Sequence, residues 1–364
     1  MPFLGAEAAG FSAMKCPVKI CGAGPAGMAA ALGLARRGRA VVIHERRADV
    51  GGRFHGDFQG LENWTTGEDV LEVLEGMGME INFQCTPFSE LVLFDPRGRE
   101  ALCRASRPLF YLVRRGNQPG MLDHGLKQQI QALDQVRIHF RSTTALERGD
   151  IMAAGPRGGN IIALGYVFET DMADGVFAAV SNELAPHGYA YLLVQGGRGT
   201  LAACLFSGFG RGRECLARCV DFFRERAGLR MKHARRFGGV GTAALPDTAC
   251  PGGVLHVGEA AGFQDALFGF GIRYALMSGC LAAEALGQGG PRDYERLWRE
   301  KLGGFFRSGA VNRWLFENGG HAGYRYLVWR VCMARDPRAW LRRFYAPSWL
   351  KSAWYRCISV GHET

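Results

Sequence analysis

Several features of other protein classes are missing from this chain of 364 residues. No uninterrupted apolar run reaches about 20 residues, so a membrane-spanning helix is not expected. The 11 cysteines include no C-x-x-C motif, and Cys215 and Cys219 have helical spacing. We therefore expect no metal or iron–sulfur centre, and reduced cysteines in a cytoplasmic protein. Residues 1–13 lack the basic segment of a secretory signal, and they are interpreted either as a loose extension or as the result of a start placed too early, since Met14 directly precedes the first strand.

Acidic residues are scarce, above all near the C terminus. The chain has 34 acids against 44 Lys and Arg, and Asp336 is the one acid between positions 321 and 357, which hold eight Arg or Lys. Six of the seven tryptophans lie in the last quarter of the chain. Interleaved aromatic and basic residues are typical of a helix at a membrane interface. They also fit a helical cap that buries its tryptophans, and both interpretations stay open. Nucleic-acid binding is not expected, because the motifs below account for the core of the chain.

The first motif is a glycine-rich turn between an apolar run and an alanine-rich helical segment. It reads Gly22-Ala23-Gly24-Pro25-Ala26-Gly27, a G-x-G-x-x-G loop. Its glycines allow a tight turn and close approach to a pyrophosphate, while the helix N terminus offers free N–H groups. A second apolar run then ends at Glu45, at the distance required for binding an adenosine ribose. This order of strand, loop, helix, strand and acid predicts dinucleotide binding.

A second motif follows a short apolar run at residues 255–257. It reads Gly258-Glu259-Ala260-Ala261-Gly262, and a helix is predicted from Ile272 to about Leu286. With the first motif, this segment resembles the geranylgeranyl reductase group of FAD oxidoreductases, relatives of p-hydroxybenzoate hydroxylase and the flavin-dependent halogenases. The resemblance covers about residues 15–286. It implies that FAD binds here, that the acid of the motif holds the ribityl chain, and that the following helix points its N terminus at the flavin.

The chain departs from the family at several positions. Glu259 replaces the usual Asp, and Ala266 replaces the usual Pro. Ala154 stands where the hydroxylases of the superfamily carry an Asp, which counts against a typical aromatic hydroxylase. Tyr191 replaces a Trp in the segment that lines the lipid tunnel of the reductases, so the substrate is expected to differ. No His or Cys is placed to attach the flavin, so we expect FAD to be non-covalent.

The predicted site residues follow from these motifs. Those expected to bind FAD are Gly22, Gly24, Pro25, Ala26, Gly27, Glu45, Arg46, Gly52, Arg53, Ala154, Gly155, Gly258, Glu259, Gly262, Gly269, Gly271 and Ile272. The candidate proton donors are His55, His187 and Tyr189, and the candidate substrate-binding residues are Tyr111 and Tyr191.

The predicted fold class is α/β, with a Rossmann-type FAD-binding domain interleaved with an antiparallel-sheet substrate domain and followed by a helical C-terminal region. The FAD-binding domain is expected to comprise residues 15–77, 119–160 and 238–290. The substrate domain is assigned to residues 78–118 and 161–237, and the helical region to residues 291–364.

Three functions remain open at this point. The first is a flavoprotein reductase or dehydrogenase that acts on carbon–carbon double bonds of an apolar, isoprenoid- or lipid-like substrate. The second is a monooxygenase or halogenase, against which stand Ala154 and the absence of any lysine between Cys21 and Leu126. The third is a cyclase or isomerase that uses FAD without net redox change. NADPH, ferredoxin and quinone all stay open as electron donors, and contact with the cytoplasmic face of a membrane is one interpretation of the C-terminal region.

Overall fold

The computed structural model describes residues 16–156 and 158–360, so the extension expected at residues 1–13 lies outside them. The strands are β1 Val18–Cys21, β2 Val41–Glu45, β3 Phe58–Glu62, β4 Cys85–Phe88, β5 Glu90–Phe94, β6 Glu100–Arg104, β7 Phe110–Arg114, β8 Val136–Phe140, β9 Ile151–Met152, β10 Ile161–Glu169, β11 Gly175–Ala179, β12 Tyr189–Gln195, β13 Arg198–Leu205, β14 Lys232–Gly241 and β15 Leu255–His256. The α-helices are α1 Pro25–Ala35, α2 Val70–Gly76, α3 Leu122–Gln131, α4 Gly212–Ala227, α5 Ile272–Gln288, α6 Pro291–Trp298, α7 Gly304–Cys332, α8 Pro337–Tyr345 and α9 Trp349–Val360.

A parallel sheet with the order β15-β9-β1-β2-β8 forms the Rossmann-type unit that the sequence predicted. Helix α1 is buried along almost its whole length and packs on α5. Small residues make this close packing feasible, because a Cβ on Gly279 would collide with the carbonyl oxygen of Ala26. The close packing brings the N terminus of α1 to the carboxyl edge of the sheet, where ligands of such folds bind.

A second sheet has the order β14-β10-β13-β12-β11-β5-β6. It is antiparallel, as the sequence predicted, except that β5 and β11 pair in parallel. Helix α4 covers one face through an apolar core that includes Leu201, Leu216 and Phe223. The opposite face is left to line the site described below.

The sequence predicts strands of this sheet at residues 161–167 and 189–206, whereas β11 and β14 were not identified from the sequence. Strand β14 lies at the sheet edge, and its residues from Lys232 to Arg236 are all exposed. Without one buried face, the strand shows no alternation of apolar and polar residues, which is the usual sequence signal for a strand.

A small antiparallel sheet, β3-β7-β4, joins the two larger ones. It takes β3 from the predicted FAD-binding segments and β4 and β7 from the predicted substrate segments. The boundary proposed between residues 77 and 78 therefore runs through the connection between strands of one sheet, and the division into domains stays a prediction.

Helices α6–α9 pack against the body of the protein rather than extending away from it. Trp298 is buried against Phe263, and Tyr324 and Val328 join an apolar cluster with residues of β7 and β12. Helix α7 is kinked at Gly320, where φ is +50°. Across the two described ranges, no helix combines the length and apolar character required to cross a bilayer.

Candidate active site

A cavity of about 790 Å³ is lined by residues from all three sheets and from the first turn of α5. At one end it follows the glycine-rich loop after β1. At the other it is bounded by apolar side chains of β7, β11, β12 and β13. All the residues predicted to bind FAD line this cavity except Gly27, Gly258 and Gly262.

The glycines of the first loop have different structural roles. Gly22 has φ +108°, and a Cβ there would collide with the carbonyl oxygen of Ala153. A Cβ on Gly27 would collide with the carbonyl oxygen of Gly22, so these two glycines are required for the turn itself. Gly24 is different, because a Cβ there would have no heavy atom within 4 Å and would point into open space. The space beside Gly24 is therefore available to a ligand rather than to the protein.

Glu45 lies at the carboxyl end of β2 and is anchored by the main chain. Its carboxylate accepts hydrogen bonds from the Ala23 N–H at 2.9 Å and the Arg47 N–H at 2.9 Å. The first of these bonds ties the acid to the glycine-rich loop. Both Glu45 and Arg46 line the cavity, so this carboxylate is placed beside the loop where a ribose is expected.

Arg53 bridges two segments that are distant in the sequence. Its guanidinium donates to the Glu259 carboxylate at 3.1 Å and to the carbonyl oxygen of Val240 at 3.0 Å. The longer side chain of Glu259, compared with the family's Asp, is thus used in an ion pair across the cavity wall. Gly155 has φ +84°, a left-handed conformation that favours glycine, and a Cβ there would be in ordinary contact with Arg53 Nη1 at 3.6 Å.

Two glycines of the second motif support the packing instead of lining the cavity. A Cβ on Gly258 would lie 2.9 Å from the Ala26 Cβ, which is too close for both to remain in place. Gly262 has φ +77°, and its Cβ would lie 2.8 Å from the carbonyl oxygen of Ala244. Their role is to let the motif approach α1 and to close its final turn.

The N terminus of α5 also faces the cavity. Gly271 and Ile272 line it, and no side chain caps the helix. Nearby, the Gln264 amide donates to the carbonyl oxygen of Gly269 at 2.6 Å, while its own buried oxygen Oε1 has no hydrogen-bond partner. This end of the cavity therefore offers one unpaired acceptor and the positive end of a helix dipole.

The apolar wall is built on the open face of the seven-stranded sheet. Tyr189, Tyr191 and Leu193 of β12 alternate onto this face, and Cys204 of β13 lies beside them. The Tyr189 hydroxyl donates to the carbonyl oxygen of Phe268 at 2.6 Å. Burial raises the pKa of both tyrosines well above the usual value and that of the Cys204 thiol to about 12. These three polar groups are therefore neutral at physiological pH.

The other predicted catalytic and substrate residues lie elsewhere. His55 is exposed, and His187 occupies a turn with φ +52° outside the cavity lining. Tyr111 does not line the cavity either, because Phe110 and Leu112 occupy the cavity face of β7 and Tyr111 alternates to the opposite face. Its hydroxyl donates to the Asp69 carboxylate at 3.0 Å. Of the five residues, the structure brings together only Tyr189 and Tyr191.

A polar chain on the cavity wall was missed in the sequence. The Asp57 carboxylate accepts from the Gln59 amide at 2.9 Å, and Gln59 in turn accepts from Arg115 at 3.2 Å. Arg115 is buried in a two-bond ion pair with Asp123, at 2.9 and 2.8 Å, and stacks on Phe54 at 3.9 Å. Burial is the largest single influence on the pKa of Arg115 and lowers it, but the charge and hydrogen bonds of Asp123 together with the charges of Asp57 and Glu259 leave that pKa raised. The spacing of these residues matches no local pattern, so no sequence signal marked them.

The C-terminal helices hold one wall of the cavity in place. Arg313 of α7 is buried and donates to the carbonyl oxygen of Leu267 at 2.9 Å and to that of His187. It thereby joins the loop before α5 to the turn before β12. In α8, Tyr345 donates to the buried Asp265 carboxylate at 3.2 Å. Because Phe268 and Phe270 of this loop line the cavity, the C-terminal helices contribute to the shape of the site.

Asp265 is the most perturbed carboxylate near the cavity. Its oxygens accept from the N–H groups of Leu267 at 3.2 Å and Phe268 at 2.7 Å. Burial raises the pKa of Asp265 to about 6, although these hydrogen bonds and Tyr345 oppose the shift. Its protonation state therefore changes close to neutral pH, and the hydrogen bonds that it accepts fix the turn at residues 265–268.

Comparisons with known proteins agree with this geometry. Residues 20–60 match the NAD(P)-binding Rossmann-like domain. The chain is 25% identical over 350 residues to a digeranylgeranylglycerophospholipid reductase of Methanothrix thermoacetophila, covering 80% of this chain and 84% of the relative. A geranylgeranyl bacteriochlorophyll reductase-like protein of Thermoplasma acidophilum superposes with a TM-score of 0.69 at 17% identity, covering 88% of this chain and 92% of that one. The chain is an FAD-dependent oxidoreductase that is similar to geranylgeranyl-type reductases.

This oxidoreductase shares its fold with enzymes of other activities. A flavin-dependent brominase superposes with a TM-score of 0.62 at 16% identity, over 95% of this chain and 98% of that one. The predicted resemblance, fold class and cofactor are thus confirmed, whereas the fold alone is common to reductases and halogenases.

The residues of the cavity fit FAD. Gly24 leaves open space in front of the uncapped N terminus of α1, where a pyrophosphate would be held by N–H groups. Glu45 lies where it would bind the ribose, and the buried Gln264 Oε1 is an acceptor without a partner. In the two described ranges, no group of three or more His, Cys, Asp or Glu side chains could hold a metal ion.

Proposed function

We propose that this oxidoreductase reduces carbon–carbon double bonds in an isoprenoid- or lipid-like substrate. The observation that carries the proposal is the continuity of the cavity, which extends from the nucleotide loop to a wall that includes Val176, Tyr189, Tyr191 and Leu193. An apolar chain would bury against this wall and gain its binding energy from the removal of apolar surface from water. The relatives named as digeranylgeranylglycerophospholipid reductases support this substrate class.

Gly24, Glu45, Arg53, Glu259 and the N terminus of α5 would hold FAD. When bound and reduced, FAD supplies a hydride to one carbon of the double bond. The protein orients the substrate in a cavity whose aromatic wall excludes water, which keeps the hydride from side reactions.

The second carbon requires a proton, and we assign its delivery to Tyr189. Among the predicted donors, Tyr189 is the one that lines the cavity, and burial keeps its hydroxyl protonated. The hydroxyl would release its proton to the substrate carbon and recover one from water. Tyr189→Phe removes the proton without changing the aromatic wall. Single-turnover product formation should fall by about 10²–10⁴-fold, whereas FAD affinity should be unchanged. An unaltered rate would reassign the proton donor.

Contact with the cytoplasmic face of a membrane is also part of the proposal. A lipid-like substrate resides in a bilayer, and an enzyme that docks there avoids extracting the substrate through water. One of the two interpretations of the sequence puts this contact in the C-terminal region, whose exposed apolar and basic residues would supply the surface.

The experiment that tests the reaction uses purified protein reduced with dithionite under anaerobic conditions. A lipid that carries geranylgeranyl chains is added, and the product is analysed by mass spectrometry. We expect a gain of two hydrogen atoms for each double bond reduced. A product that gains oxygen, formed only when air is admitted, would point to a monooxygenase. A product of unchanged mass would point to an isomerase or cyclase, and either result would overturn the proposal.

A further inference from the structure

The C-terminal helices expose an unusual amount of apolar surface. Ten large apolar side chains are exposed in the part of the chain that the structure describes. Six of them belong to helices α7 and α9, and a seventh, Met333, directly follows α7. These seven are Leu315, Tyr326, Trp329, Met333, Trp349, Leu350 and Trp354. Scattered exposed apolar residues are normal, but a concentration in one region marks a surface that binds a partner.

The first cluster lies on the second half of α7 and the residue after it. Tyr326, Trp329 and Met333 follow each other at intervals of three and four residues, so they share one face of the helix. The opposite face, with Tyr324 and Val328, is buried in the body of the protein. An ordinary surface helix would present polar side chains outward. This helix is apolar on both sides. Its buried face already packs the helix onto the protein, so packing does not require the exposed face to be apolar.

The second cluster lies on α9. Trp349 is 77% exposed, more than any other large apolar side chain in the described ranges, and Leu350 is beside it. One turn later, the Trp354 ring contacts Trp314 of α7 in a tilted arrangement, with ring centroids 5.3 Å apart, which holds it against the rest of the protein. Trp354 is therefore held by packing, whereas Trp349 at the start of the helix is exposed to solvent.

The charges around the two clusters are strongly one-sided. Residues 304–360 contain ten Arg or Lys and two acids, Glu317 and Asp336. Several of the arginines are exposed, among them Arg342, Arg343 and Arg356. Trp and Tyr beside cations are suited to the headgroup region of a bilayer, where the rings anchor and the cations attract anionic lipid. A second copy of this chain bound through the same surface would bring like charges together, so an anionic partner fits this surface better than a second copy.

We propose that the Tyr326–Trp329–Met333 cluster and the Trp349–Leu350–Trp354 cluster form a docking surface for an anionic lipid bilayer. The inference deepens the proposed function, because it names the partner from which a lipid substrate would come. It does not depend on the reaction, since docking is measured without turnover.

The test is flotation of the FAD-loaded protein with vesicles of phosphatidylcholine alone or mixed with phosphatidylglycerol. We expect binding to the mixed vesicles that weakens as salt rises, and little binding to the neutral ones. Trp329→Ser with Met333→Ser, and separately Trp349→Ser with Leu350→Ser, should each weaken binding at least about tenfold. Phe209→Ser is the matched control, because Phe209 is 39% exposed outside the C-terminal helices.

The flavin absorbance spectrum of each variant shows whether the fold and cofactor site are intact. Variants that keep FAD and still bind vesicles as the wild type does would overturn the proposal. Sedimentation velocity adds a second criterion. If the wild type is a dimer, and the substitutions convert it to a monomer without affecting flotation, the surface is an interface between two copies of the chain. Failure of the reduction assay with intact vesicle binding would refute the proposed reaction and leave the docking surface standing.

Discussion

Gly24→Val is the substitution that most sharply separates folding from cofactor binding. In the protein alone, a Cβ on Gly24 meets no heavy atom within 4 Å, and the backbone at φ −82° and ψ 176° is accessible to valine. We therefore expect the free energy of unfolding of the FAD-free protein to change by less than about 0.5 kcal/mol. The valine methyl groups would instead occupy the open space in which we expect the pyrophosphate.

The expected loss of FAD affinity follows from that overlap. Inserting a branched side chain where the bound ligand already fills the space costs about 1–3 kcal/mol. The FAD dissociation constant should therefore be roughly ten- to hundredfold larger. Gly27→Ala is the matched control with the opposite outcome, because its Cβ would collide with the carbonyl oxygen of Gly22. We expect that variant to lose stability as well as FAD.

Both quantities can be measured on the same preparations. Urea unfolding followed by circular dichroism gives the stability of the apoproteins, and quenching of flavin fluorescence gives the FAD dissociation constant. If Gly24→Val bound FAD as tightly as the wild type, the cofactor would not approach the loop at Gly24. If Gly24→Val were as unstable as Gly27→Ala, the glycine would be required by the fold, and the distinction drawn between the two positions would be wrong.

Three further predictions concern residues around the cavity. Glu45→Gln keeps the shape of the side chain but removes its charge, so FAD affinity in the same titration should fall by about tenfold. An unchanged affinity would show that another residue binds the ribose. Arg313→Met removes charged hydrogen bonds to two carbonyl oxygens, so the free energy of unfolding in urea should fall by about 3–5 kcal/mol. For the control Glu317→Gln it should fall by less than about 1 kcal/mol. Equal losses in the two variants would contradict this role of Arg313. The pKa of Asp265 is raised by burial to about 6, so relative to Asp265→Asn the wild type should lose up to about 3 kcal/mol of stability as the pH rises from about 4 through 6. If the difference in unfolding free energy between the wild type and Asp265→Asn stays constant across this pH range, the pKa of Asp265 is not raised.

The arrangement of the glycine-rich loop and Glu45 could be predicted from the sequence because its physical requirements are local. Gly22 needs a positive φ, and Gly24 must leave space in front of a helix that begins at the next residue. Strand β2 pairs with β1 and is connected to it by the single helix α1, which places Glu45 beside the loop. Each requirement restricts residue types within a short segment, and a short segment can be recognised as a motif.

The second sheet was predicted less completely, for a reason that lies in its topology. Strand β12 could be recognised because one of its faces is buried in the core and the other lines the cavity. Strand β14 pairs only with β10 at an edge and exposes its basic residues. Its strand conformation is decided by pairing with a distant segment, which leaves no local pattern. Residues of β14 from Phe237 to Gly241 nevertheless line the cavity.

The walls of the cavity were decided by tertiary structure alone. Which face of β7 meets the site determines that Phe110 and Leu112 line it while Tyr111 does not, and this depends on how the small sheet packs. The contacts that hold the loop before α5 are the extreme case. Arg313 donates to main-chain carbonyl oxygens, and every residue carries such an acceptor. Nothing in the identity of Leu267 or His187 marks it as the partner, so only the packing of α7 against both segments selects them.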